Sequence, residues 1–402
     1  MQRSLEVPQN FQLAGASVGS VVPCFSFSWK FWGTSNCTYY LPRPIPRALT
    51  LEASVVAAIS EADAAVGQLK GLGALVQDPE LLIGPYLRRE ALASSRIEGT
   101  QASLSEVFTA EIDASTGTDD TTEVLRYLAA SDEAFRLVEE FPITQRLILR
   151  IHRTLLTGVR GEEKRPGELR TSPVWVGPAG ATPNTAVFVP PLPHHLSALL
   201  GDWERFVNDD GRALPPLVQA ALMHSQFETI HPFLDGNGRI GRLLISVLLK
   251  DRGRLEVPLL YLSHYFETHR TEYYERLQAV RERAALDEWL VFFMEAVRVQ
   301  AIDAVERAGK LVRIREKYLT EAMKSRSRLP SLVEVLFHNP VITVHRIEHE
   351  LNMTNQGARA LIQRAQRQGW LQALGARGQG GRLRWYAPEI LSVISESGAE
   401  SD

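Results

Sequence analysis

The chain has 402 residues, of which 45% are hydrophobic and 23% charged, and a formal net charge of -3. This composition suits a globular chain with more than one core and excludes a polycation acting through bulk charge. No apolar run reaches the roughly 20 residues of a membrane span, no apolar stretch behind a basic start marks a secretory leader, and only two cysteines occur, Cys24 and Cys37. A disulfide scaffold and a cysteine zinc site are therefore excluded, and a reducing, cytoplasmic setting is expected.

Residues 1–40 are rich in Ser, Val, Phe and Trp, show no sustained period, and run into Leu41-Pro42-Arg43-Pro44-Ile45-Pro46. They read either as an N-terminal arm or as sequence upstream of the native start. From Leu49 the period is helical, with Leu51, Val55, Val56, Ile59, Ala62 and Val66 at three-to-four spacing and Leu81, Leu82, Tyr86 and Leu87 after them. Residues 124–138, 147–156 and 196–206 repeat it. Val174-Trp175-Val176 and Val187-Phe188-Val189 are β-prone runs flanking Gly177-Pro178-Ala179-Gly180, which predicts a hairpin. Helical patterning resumes at Leu217 and runs to about Met323. Residues 332–337, 344–351 and 354–367 then predict three short helices, the last ended by Gly369, followed by strands at 370–373 and 383–386 bridged by a Gly-rich stretch. That order describes a winged helix-turn-helix. The expected fold is mostly α with one hairpin and this C-terminal unit.

The chemistry concentrates in His231-Pro232-Phe233-Leu234-Asp235-Gly236-Asn237-Gly238-Arg239-Ile240-Gly241-Arg242, with apolar helices at 217–230 before it and 243–250 after it. A Gly-Asn-Gly turn at a helix start lets backbone N–H groups converge into an anion nest, since glycine accepts positive φ freely. Arg239 and Arg242, three apart, add charged donors. Asp235 suits Mg²⁺, which takes one or two carboxylates plus phosphate oxygens. His231 is a base that works near neutral pH. His224, seven residues before His231, reads as a packing or hydrogen-bonding residue, and Glu228 as one that could orient the loop.

This segment resembles the signature of the Fic family, His-x-Phe-x-Asp/Glu-Gly-Asn-Gly-Arg-x-x-Arg, at every defined position. The resemblance extends to 147–158, Pro166-Gly167-Glu168-Leu169-Arg170, Val174-Trp175-Val176-Gly177, Phe188-Val189-Pro190-Pro191 and 261–277. It implies a protein adenylyltransferase that moves AMP from ATP to a Ser, Thr or Tyr hydroxyl, with His231 as general base and Asp235 holding Mg²⁺. Gly236, Asn237 and Gly238 would cradle the phosphates, with the neighbouring Ile240 and Gly241 in the same nucleotide-binding stretch. Arg239 and Arg242 would meet the β- and γ-phosphates, and Phe233 would anchor the loop. Tyr273 and Tyr274 match an aromatic pair near the nucleotide, with core packing as the alternative, above all for Tyr274.

The implied flap, 171–189, would pair with a protein target as an added strand. Ser94-Ser95-Arg96-Ile97-Glu98-Gly99 is similar to the family's inhibitory motif. Ser94, Glu98 and Gly99 would form a brake in which Glu98 pairs with Arg242 and disturbs ATP binding. A role for Glu98 in removing AMP from targets, self-modification and a homodimer are left open. The expected division is an arm at 1–40, an inhibitory helical region at 41–120, a catalytic core at 121–300, a connecting helix at 301–329, the winged helix at 330–390 and a tail at 391–402.

Between Arg326 and Tyr386 nine arginines face three glutamates. Asn355, Gln356, Arg359, Gln363 and Arg367 on the third short helix are types able to read base edges. The alternative function is thus a DNA-binding regulator whose Fic-like core senses nucleotide.

Overall fold

The computed structural model describes residues 19–23, 38–75, 80–178, 180–255, 259–374 and 383–395. The cysteines, most of the 1–40 segment, the Gly-rich bridge at 375–381 and the end of the tail lie outside them.

The described residues are mostly helical. Two helices make the centre: α7 (Pro216–Ile230), buried on all sides, and α8 (Asn237–Asp251), buried over most of its surface. A helix apolar all round belongs inside a core, and here the two are joined by the six-residue loop 231–236 that carries the motif. Around them lie α1 (Ala53–Leu75), α2 (Glu80–Ile97), α3 (Leu104–Ile112), α4 (Asp119–Glu140), α5 (Gln145–Leu156), α6 (Leu196–Asn208), α9 (Ser263–Thr268), α10 (Arg270–Arg283) and α11 (Leu286–Met323). Trp203, Phe227, Phe233, Phe266 and Trp289 fill the interior between them. Helix starts follow local chemistry. Thr118 and Thr121 form a reciprocal cap on α4, as Ser103 and Glu106 do on α3.

The C-terminal unit comprises α12 (Leu329–His338), β3 (Val341–Thr343), α13 (Val344–Glu350), α14 (Asn355–Arg367), β4 (Gln372–Leu374), β5 (Arg384–Tyr386) and α15 (Pro388–Ser395). Its antiparallel sheet has the order β3-β5-β4, with Trp385 opposite both Ile342 and Ala373. The unit is docked on the rest: Asn339 Nδ2 donates to the Phe108 carbonyl at 3.1 Å and to Glu111 Oε2 at 3.1 Å. Trp370 stacks on Tyr318 of α11 with ring centroids 4.6 Å apart. The five candidate base-reading side chains of α14 are all exposed.

Several expectations need adjustment. Among the described residues the predicted hairpin at 171–189 reduces to a single antiparallel bridge, Val176 with Phe188. Pro178, Pro183, Pro190 and Pro191 lack the N–H a longer ladder needs. The exit helix starts at Asn237, six residues before the apolar run, because the glycine-rich motif is itself the first turn of α8. Strands β1 (Gly19–Pro23) and β2 (Thr38–Pro42) pair antiparallel, so β2 crosses the expected boundary at residue 40. Likewise α11 begins well before 301 and α15 runs past 390, since helical packing continues where composition changes.

Candidate active site

His231 ends α7 in the left-handed conformation, φ 50° and ψ 62°. For a residue with a Cβ this costs on the order of 1–2 kcal/mol, so the surroundings must hold it. The Arg170 Nε donates to its carbonyl at 2.7 Å, and its Nδ1 lies 3.4 Å from the Glu228 carbonyl. A carbonyl only accepts, so Nδ1 carries the proton there and Nε2 keeps its lone pair. Burial, followed by the charges of Arg170 and Arg281, pulls the His231 pKa down to about 4.

The loop after it is pinned by its own side chains. Asn237 Oδ1 accepts from the Phe233 N–H at 2.8 Å, and its Nδ2 donates to the Phe233 carbonyl at 3.0 Å. The Asn237 side chain therefore closes the loop and leaves backbone N–H groups to form the nest. Phe233 is buried and stacks on His152, with centroids 3.7 Å apart and planes 6° apart. His152 Nδ1 accepts from the Gly167 N–H at 2.9 Å, which fixes the tautomer, and its Nε2 meets the Asp235 carbonyl at 3.0 Å. Burial drives its pKa down to about 4, keeping the ring neutral and the tautomer intact.

Asp235 turns its carboxylate outward, 41% exposed, with Oδ1 accepting from the Gly236 N–H at 2.5 Å and from Arg239 Nη2 at 3.2 Å. Gly161, at φ 98°, comes so close that a Cβ there would lie 2.9 Å from Asp235 Oδ2. Among the described residues no three acidic, His or Cys groups converge on a metal position. A cation at Asp235 would rest on one carboxylate and on ligand oxygens, which suits Mg²⁺. Arg239 is 3% exposed; its Nε and Nη1 have no hydrogen-bond partner, although Nη1 lies 3.8 Å from the buried Glu123 Oε2. Buried charged donors without a hydrogen bond are costly, and these two nitrogens have the chemistry to take phosphate oxygens.

The second arginine is taken. Arg242 Nη2 donates to Glu98 Oε1 at 2.7 Å, while its Nε donates to Ser94 Oγ and its Nη2 to the Ser94 carbonyl, both at 2.9 Å. Ser94 and Glu98 lie one turn apart at the end of α2, which stops at Ile97 with Gly99 at φ 105° just beyond. The Glu98 carboxylate also covers the nest: a Cβ built on Gly238 would overlap its Oε1. Arg242, then Arg239, hold the Glu98 carboxyl below its ordinary range against the effect of burial.

The remaining calls divide. Ile240 packs in the core. Gly241 admits Glu228, whose Oε1 would overlap a Cβ there. Tyr273 is 1% exposed and its hydroxyl meets His224 Nε2 at 2.9 Å, so it belongs to the packing behind the site. Its neighbour Tyr274, 40% exposed, is the member of the pair that reaches the surface. His152 and Arg170 lie in segments that carry the resemblance, but sequence reasoning assigned them no role. Neither role has a local pattern: His152 meets the Asp235 carbonyl and Arg170 the His231 carbonyl, both remote in the chain.

Residues 142–249 match the Fic/DOC family and residues 56–136 match the Fic/DOC family N-terminal region. Protein adenylyltransferase Fic of Drosophila grimshawi is 35% identical over 159 residues, 39% of this chain and 28% of that protein. The protein of the same name from Drosophila melanogaster matches over the same length at the same identity. The match thus spans less than a third of these relatives. A crystal structure of a Fic family protein from Desulfovibrio desulfuricans G20 superposes with a TM-score of 0.55 at 19% identity, covering 90% of this chain and all of that one. A Fic domain containing signaling protein from Bacteroides thetaiotaomicron does so with a TM-score of 0.50 at 21% identity, covering 62% of this chain and 98% of the other. At these identities the structural likeness is one of fold, and it agrees with the matched sequence segments. With the complete signature at 231–242 inside the matched region, these likenesses converge on the Fic family.

Proposed function

We propose that this chain is a protein adenylyltransferase that transfers AMP from ATP to a Ser, Thr or Tyr hydroxyl of a protein target and restrains itself through Glu98. The observation that carries the reading is a glycine turn opening a helix beside a half-buried imidazole, with a carboxylate lying against Gly238 and gripped by Arg242. Carboxylate and phosphate are recognised by the same backbone donors and guanidinium forks.

In this reading the target hydroxyl oxygen forms a bond to the α-phosphorus, the bond from that phosphorus to the β-phosphate bridging oxygen breaks, and pyrophosphate leaves. The hydroxyl proton passes to His231 Nε2, free because Nδ1 faces the Glu228 carbonyl. The nest N–H groups and the two unbonded nitrogens of Arg239 take the phosphate charge, and their fixed positions do most of the catalytic work. Asp235 would hold Mg²⁺, which supplies charge neutralisation between the phosphates. Arg242 is available to the γ-phosphate only when Glu98 swings away, so the brake works by occupancy and by repulsion. Residues 171–189 would dock the target, with Trp175 and Val187 exposed on that segment. We assign the inhibitory region to 41–120, the catalytic core to 121–300 and the winged helix to 330–390. A DNA-contacting role for the last is a second reading, favoured by the exposed polar face of α14; a gel shift on duplex DNA at low salt tests it.

The main test is incorporation of label from α-labelled ATP with Mg²⁺ by the purified chain. Glu98→Gly is expected to raise it at least tenfold, and adding His231→Ala to remove it by about 10³-fold, within the span of general-base effects. Equal incorporation by all three proteins would refute the assignment.

A further inference from the structure

We propose that Arg170 is the positioning residue of His231: a buried guanidinium held by backbone carbonyls alone locks the end of α7 in its left-handed turn and ties it to both ends of the flap. The inference rests on His231 acting as the base proposed above.

Arg170 is buried, yet among the described residues no carboxylate pairs with it. A buried arginine ordinarily has an acidic partner. This one donates through Nε to the His231 carbonyl at 2.7 Å, through Nη2 to the Ile230 carbonyl at 3.3 Å and to the Pro191 carbonyl, and through Nη1 to the Ser172 carbonyl at 3.4 Å. Its own N–H donates to the Pro232 carbonyl at 3.0 Å. The carbonyls of 230 and 231 are the unsatisfied, negative end of the α7 dipole, which replaces the missing carboxylate as counter-charge. Three consecutive carbonyls, 230 to 232, are thus gripped by one residue at the point where the chain leaves helical geometry. Ser172 lies at the start of the flap and Pro191 just after its end, so the same side chain sets the flap base against the imidazole.

Because its counter-charge is only a set of dipoles, Arg170 keeps a net positive field at the imidazole. The other groups facing that ring are Arg281 from α10, Glu98 from α2, and the Glu228 carbonyl from α7, with the Glu228 carboxyl on the same helix; Arg242 from α8 has Glu98 as its partner. Burial and the two arginines outweigh Glu98, which is why the ring is neutral well below neutral pH.

The experiment uses the full chain with Glu98→Gly as parent and adds Arg170→Met or Arg170→Lys. Two quantities are read: the titration midpoint of the His231 ring, by NMR of histidine-labelled protein with His231→Asn for assignment, and kcat and KM for ATP in self-adenylylation across pH. Arg170→Met is expected to raise the His231 midpoint by about one pH unit or more, through loss of charge and entry of water. The acid limb of the kcat profile should rise with it. At neutral pH kcat should fall about 10- to 100-fold from lost alignment, with KM for ATP within about twofold. Arg170→Lys keeps the charge and loses the fork, so its midpoint should stay near the parent's while kcat falls. A residue that merely supported the fold would not separate midpoint from kcat in this way. Parental midpoint and kcat in Arg170→Met overturn the proposal; if that variant does not fold, parental kcat in Arg170→Lys overturns it. An inactive Glu98→Gly parent sinks the adenylyl-transfer reading instead, and the NMR midpoints still decide whether Arg170 acts on His231.

Discussion

The loop 231–242 and the flap 171–189 are neighbouring irregular segments held in opposite ways. In the loop, Asn237 staples Phe233 through both of its amide atoms, His152 stacks beneath, and Arg170 grips the entry. The flap has one bridge, at Val176 and Phe188, and leaves Trp175 and Val187 exposed. The segment assigned to chemistry arrives organised, which electrostatic catalysis requires. The segment proposed for docking leaves apolar side chains exposed, as a surface to be paired with a partner's strand would. Even so, the flap is anchored at its edges. Arg281 sits 4.1 Å from the Phe188 ring centroid, and the Tyr40 N–H of β2 donates to the Val189 carbonyl at 2.9 Å.

If this contrast is real, substitutions in the two segments should fail differently. Asn237→Ala in the Glu98→Gly background removes two buried hydrogen bonds; we expect transfer to fall about 100-fold and stability by about 1–3 kcal/mol in urea titrations. Full activity in that variant would mean the loop needs no staple. Val187→Asp should raise KM for a protein target about tenfold while moving stability by less than about 0.5 kcal/mol. A drop in stability as large as that of Asn237→Ala would erase the distinction. Ser94→Ala removes the hydroxyl beneath Arg242 and keeps Glu98 in place. Self-adenylylation of the otherwise native chain should rise only about two- to fivefold, in line with one lost hydrogen bond of about 1 kcal/mol, as measured by label incorporation.

Much of the site was legible in the sequence because its parts are local. His231 through Arg242 span three turns' worth of chain, and glycine at 236 and 238 is demanded by backbone geometry and close approach. Ser94 and Glu98 could be read as a helical pair, although their meeting with Arg242 depends on contacts 144 and 148 residues apart. Helices α5, α6 and α7 were visible from apolar spacing. What escaped the sequence was every group whose partner is a distant carbonyl: His152 binding Asp235, and Arg170 binding the end of α7. Residue type carries no mark of that. Tyr273 and Tyr274 are adjacent in sequence and alike in chemistry, and only packing against His224 decides which one is buried. Of the β-prone runs at 174–176 and 187–189 only Val176 and Phe188 pair, and the prolines and glycines between and after the runs stop a longer ladder.

The central claim is that the Glu98 carboxylate stands where the terminal phosphate of ATP belongs. Calorimetric titration of ATP and of AMP into the native chain and into Glu98→Gly, with Mg²⁺, addresses it directly. The account predicts ATP affinity at least tenfold higher in Glu98→Gly, with AMP affinity changed by less than about twofold, since AMP lacks the group that competes; tenfold corresponds to about 1.4 kcal/mol. Equal ATP affinity in the two proteins, or an equal gain for AMP, would contradict it.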